Sequence, residues 1–159
     1  MDFKRILRSL AAGACGSIAH SGLMLLKSSI GLLPAFHPYE DLQRALSDLV
    51  GSSVSPMIPW ALSFLNGSLV LGTLFGRLYH LLPGRSGAAK GMVFGVVGWI
   101  AMGALFFPVL GEGLFASQIG LGLRPALFSL LMLLTYSIIM GKAYSALDTP
   151  TPAARSAQR

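Results

Sequence analysis

Four long apolar runs dominate the chain, separated by short polar stretches, with no sustained alternation of apolar and polar positions. They lie at about residues 9–26, 59–82, 88–110 and 123–146. Each holds roughly 20 residues, a length that crosses about 30 Å of hydrocarbon at 1.5 Å per residue. The pattern predicts an all-α protein, a four-helix bundle integral to a membrane, in a single domain over residues 1–147. Punctuation supports the boundaries. Pro59 suits a first helical turn and Trp60 an interfacial anchor. Lys90 opens the third run, Pro108 and Gly111 close it, and Lys142 stands near the end of the fourth.

One connection has a pattern of its own. Between the first two runs, Tyr39, Leu42, Ala45, Leu46, Leu49 and Val50 recur at helical spacing. Glu40, Asp41, Arg44, Ser47 and Asp48 fill the opposite face. Pro38 can start this segment and Gly51 can end it. We expect a short amphipathic helix lying at the interface in the first outer loop. The stretch 148–159, with prolines, alanines and polar residues, reads as a disordered cytoplasmic tail.

Charge then fixes direction. The sequence has 12 Lys and Arg against 6 Asp and Glu, a net charge of +6, yet only 11% of it is charged. About 25% is usual for a soluble domain. The basic residues stand singly at the ends of apolar runs, which excludes a nucleic-acid surface. Lys4, Arg5, Arg8, Arg77, Arg85, Lys90, Lys142, Arg155 and Arg159 fall on one side of a four-crossing chain, and only Lys27, Arg44 and Arg124 on the other. The positive-inside rule therefore places both termini and the turn at Pro83–Gly87 in the cytoplasm. Cys15, the lone cysteine, lies inside the first run, so no disulfide forms within one chain. The apolar run continues past it, so the segment reads as an uncleaved span.

Small residues recur at helical spacing in every run. They are Gly13, Gly16 and Ser17 in the first, and Gly72 and Gly76 in the second. Gly91, Gly95 and Gly98 follow in the third, and Gly141 in the fourth. Such stripes let helix backbones approach closely where lipid offers no hydrophobic gain. They are the expected helix-packing residues, inside the bundle or against a homo-oligomer or larger membrane complex. A short repeat accompanies them. Arg8-Ser9 opens the first run as Arg85-Ser86 opens the third, and Gly76-Arg77-Leu78-Tyr79 closes the second as Gly141-Lys142-Ala143-Tyr144 closes the fourth. A duplicated hairpin gives this pattern.

The costly group is His20, about 18 Å along the helix from Arg8 and so near mid-bilayer. Asn66 lies at similar depth, about 16 Å from Arg77. The plain expectation is a hydrogen bond between His20 and Asn66, or a hydroxyl, across helices. A second expectation is cofactor binding by His20, because Gly16 one turn earlier leaves room for a flat macrocycle. Antenna proteins that ligate bacteriochlorophyll are similar in that spacing. A haem iron would need a second axial ligand from another copy or subunit. A third is a small transporter or proton path, although the runs hold no carboxylate. No nucleophile triad, phosphate-cradling loop or metal-ligand spacing occurs, so the chain reads as non-enzymatic.

With Phe36-His37-Pro38-Tyr39-Glu40-Asp41-Leu42-Gln43 and Phe107-Pro108-Val109-Leu110-Gly111, the chain resembles a family of small, uncharacterised bacterial inner-membrane proteins with four transmembrane helices. The likeness covers most of residues 1–147. It implies a multi-pass location in the bacterial inner membrane and no catalytic role. The leading expectation for function is an accessory or scaffold subunit of the membrane that packs through its small-residue faces.

Overall fold

The computed structural model describes residues 2–33 and 35–148. Among them the chain is helical, with four helices long and apolar enough to span a bilayer. These are α1 (Phe3–Ser29), α3 (Met57–Leu78), α4 (Gly87–Val109) and α5 (Arg124–Asp148). Between the first two lies α2 (Pro38–Val50), which starts on Pro38 and ends where Gly51 takes a left-handed φ of 72°. The amphipathic helix expected there is therefore present, with those ends. Of the segment 148–159 expected to be a disordered tail, Asp148 instead ends α5, because the helix carries on past the apolar run, and 149–159 lies outside the described residues.

Two boundaries differ from the sequence reading. α1 begins at Phe3, not near Ser9, because Lys4, Arg5 and Arg8 continue the helix past the apolar run. α3 stops at Leu78, four residues short of Leu82, where a turn precedes Pro83. The helices α3 and α4 are also not regular. Each contains one stretch of π-helix, at Asn66–Leu71 and at Met102–Phe106. In the first, the Gly72 N–H reaches back five residues to the Gly67 carbonyl.

Packing follows the small residues. α1 and α3 cross where Ser9, Gly13 and Ser17 face Gly76, Gly72 and Ser68 in that order. A Cβ on Gly13 would lie 2.7 Å from the Ser68 carbonyl oxygen and 3.0 Å from the Gly72 Cα. α4 and α5 cross in the same register: Gly87, Gly91 and Gly95 face Gly141, Ser137 and Leu133. The two hairpins thus share a contact register, shifted by one residue from the Arg-Ser alignment. Aligning Gly13 with Gly91 moves the match of Ser9 from Ser86 to Gly87.

The hairpins join mainly through α1 and α5, which pack along each other, while α3 and α4 approach through side chains. Phe75 of α3 meets Phe94 of α4 edge-on, with ring centroids 5.3 Å apart, and also meets Tyr144. These rings, with Ala12, Tyr136 and Met140, form the buried core. A second cluster at the other end gathers Phe36, Phe107 and Ala116. There Phe115 tucks against Gly103, inside the π-helical stretch of α4, and its ring lies 4.8 Å from that of Trp99.

Candidate functional site

The middle of the bundle is built around Gly16. With no side chain at Gly16, the ring of Tyr136 lies flat against α1, and a Cβ there would sit 2.8 Å from the ring. The Tyr136 hydroxyl crosses to α3 and donates to the Gly67 carbonyl at 2.6 Å. Beside it Ser68 donates to Ser17, and Ser17 to the Phe64 carbonyl, both at 3.4 Å. The polar atoms of the interior are thus turned toward backbone carbonyls and one another, as they must be where water is absent.

His20 stands one turn above Gly16, half-buried, near the backbone of Met132 on α5. It does not meet Asn66. That side chain is exposed on the outward face of α3, where the π-helical stretch begins. The expected His20–Asn66 bond is therefore replaced by an approach to α5. The space over Gly16 that a macrocycle would need is occupied by Tyr136. Residue counting put the two side chains at a matching level but did not weigh facing: at about 100° per residue Asn66 stands roughly 120° round α3 from Gly72, away from the stripe that meets α1.

The helix-packing residues mostly stand where their spacing puts them. Gly13, Gly16, Ser17, Gly72, Gly76, Gly91, Gly95 and Gly141 are all buried within the bundle. Gly98 is looser, since a Cβ there would meet only Leu133 Cδ2, at 3.4 Å. The stripes are consumed by contacts inside one chain.

The end of the bundle that carries α2 holds groups that sequence reasoning left as boundary residues. Lys27 is buried, its ammonium donating to the Phe36 carbonyl and lying 5.7 Å from the centroid of that ring. Glu112 is also buried, at 8% exposure, and neither carboxyl oxygen has a hydrogen-bond partner of good geometry. Its close neighbour is the Asp41 carboxyl of α2, which Arg44 holds from the solvent side. Burial above all, then the Asp41 carboxyl, raises Glu112 from the ordinary carboxylate range to about 7, with Arg44 opposing. On its other flank α2 is fixed to α3. The Tyr39 and Ser63 hydroxyls lie 3.0 Å apart, and the Tyr39 and Trp60 rings 4.5 Å. Desolvation raises the Tyr39 phenol above its usual range. No sequence signal marks Glu112 as buried, since a carboxylate beside a Gly111 turn normally faces water.

The opposite end, where α1 begins and α5 finishes, is basic. Arg5 donates to the Gly76 carbonyl at 2.9 Å, and Arg8 pairs with Asp148. Lys90 donates to the Tyr79 carbonyl at 2.6 Å and lies over the Tyr79 ring. Among the described residues no group of three or more His, Cys, Asp or Glu could hold a metal ion.

A protein-family model described as "Family of unknown function (DUF6789)" matches residues 3–154. No curated protein matches the chain, and no solved structure matches it.

Proposed function

Because the chain belongs to DUF6789, a family of unknown function, its role has to be argued from its own residues, and we propose that it is a non-enzymatic accessory subunit of the bacterial inner membrane that self-associates through the outward face of α3. Four apolar spanning helices make it a multi-pass membrane protein. The positive-inside balance supports cytoplasmic termini.

The observation that carries this reading is Asn66. It lies about 14 Å along α3 from Met57, near mid-membrane. It is exposed, among the outward-facing Leu62, Leu65 and Leu69. A carboxamide facing lipid with no partner is costly. It both donates and accepts, so it is complementary to itself: across a two-fold axis two copies of Asn66 can exchange two hydrogen bonds. Polar side chains join membrane helices in this way. The small-residue stripes, consumed internally, are not needed for it.

The test is the dimerisation of full-length protein in lipid vesicles, followed by energy transfer between labelled copies in a Cys15→Ser background. Asn66→Leu is expected to weaken association about tenfold, and Asn66→Gln to retain it. A wild-type protein that stays monomeric at high protein-to-lipid ratio overturns the reading, as does an Asn66→Leu protein that associates like wild type.

A further inference from the structure

The end of the bundle where α1 begins carries a half-open cavity of ≈ 220 Å³, lined by Asp2, Lys4, Arg5, Arg8, His80, Tyr144 and Asp148. At about 30 Å³ for each water, that is room for a small polyatomic group and its waters. One buried polar group at this cavity lacks an acceptor, independently of its basic lining, and a phenol lines the cavity beside it. The Arg5 guanidinium donates once to the Gly76 carbonyl, but its Nε–H is buried without a partner. Tyr144 is 1% exposed, its ring held by Phe75 and Tyr79, and its hydroxyl makes no hydrogen bond among the described residues. Native structures rarely leave a buried donor such as the Arg5 Nε–H unsatisfied.

The charges around them select the missing partner. Lys4, Arg5 and Arg8 bring three cations. Asp148 is already engaged by Arg8, which leaves Asp2 as the opposing charge. What is wanted is an acceptor with several oxygens and negative charge, small enough to reach Arg5 and Tyr144 together. We propose that this cavity binds a phosphate group, carried by the headgroup of an anionic lipid or by a soluble phosphate compound. A guanidinium and a phenol hydroxyl then donate to one oxyanion, with Lys4 neutralising its charge from the rim. The position, where α1 and α5 meet the membrane surface, is within reach of a headgroup.

Binding is measured by calorimetry on the full-length protein in neutral detergent. The probes are short-chain phosphatidylglycerol, short-chain phosphatidylcholine and inorganic phosphate. Saturable binding of phosphatidylglycerol alone assigns the site to a lipid headgroup. Saturable binding of inorganic phosphate as well assigns it to a soluble phosphate compound. In either case Tyr144→Phe, which keeps the packed ring, is expected to weaken binding about tenfold. Lys142→Gln, an exposed cation outside the cavity, is expected to leave it unchanged. Arg5→Gln serves as the stronger variant, with thermal unfolding checking that it folds. The proposal is overturned by non-saturable binding, by equal binding of phosphatidylcholine, or by a Tyr144→Phe protein that binds like wild type.

Discussion

Two seams join the hairpins of this bundle, and they differ although the hairpins share one contact register. Where α1 meets α5, Gly16 faces Tyr136 and the helices pack along each other. In the repeated register the counterparts are Phe94 for Gly16 and Leu71 for Tyr136. There α3 and α4 are held apart by side chains, and Phe94 reaches across to Phe75. Close approach in a membrane depends on small residues, so one Gly-to-Phe difference accounts for a narrow seam on one side and a wide one on the other. At one end of the wide seam α2 lies on α3 through Tyr39 and beside Glu112, past the end of α4, through Asp41.

The largest effect is expected within a hairpin, not at a seam. Gly91→Ala places a methyl group inside the van der Waals radius of the Ser137 carbonyl, against backbone that cannot turn aside. It should cost about 3 kcal/mol. Gly98→Ala, facing a movable Leu133 methyl, should be close to neutral. Denaturant unfolding in detergent compares the two, and equal costs would dissolve the shared register as an explanation. At the narrow seam, Gly16→Ala should cost about 1–2 kcal/mol, because the Tyr136 ring can shift but its carbonyl, 2.8 Å from the new methyl, cannot.

The smallest effect concerns the wide seam and is read against pH. Glu112 is raised by burial from 4.5 to about 7. The folded protein therefore holds a proton there that the unfolded chain releases between those values. Stability from this group is complete below pH 4.5 and falls as pH rises toward 7, where the Glu112 and Asp41 carboxylates begin to repel. Glu112→Gln should remove that part of the slope in thermal unfolding between pH 5 and 7. An unchanged slope would show that α2 is not held at Glu112.

The spans, α2 and its ends were legible because long apolar runs, helical periodicity and the Pro38 and Gly51 signals are local. The glycine stripes were legible as contact sites, since spacing reports a helix face. What each face meets was not. Gly16 suggested room for a macrocycle, and a tyrosine 120 residues away occupies it. Asn66 and His20 match in residue count along their helices, but count alone does not give facing, and Asn66 lies about 120° round α3 from Gly72. Glu112 and Tyr144 escaped notice because burial of a polar group is decided by tertiary packing, as is the loss of its partners.

The wide turn at Asn66–Leu71 also sets the phase of its own helix. One extra residue is absorbed there, so the two halves of α3 are rotated relative to each other by about 100° from the regular course. The half toward Leu78 keeps Gly72 and Gly76 against α1, and the rotation brings Gly67 of the other half round to α1 as well, while Asn66 stands outward on either course. A single spanning helix thereby stays seated on one neighbour through both of its halves, where an unbroken α-helix would drift off it.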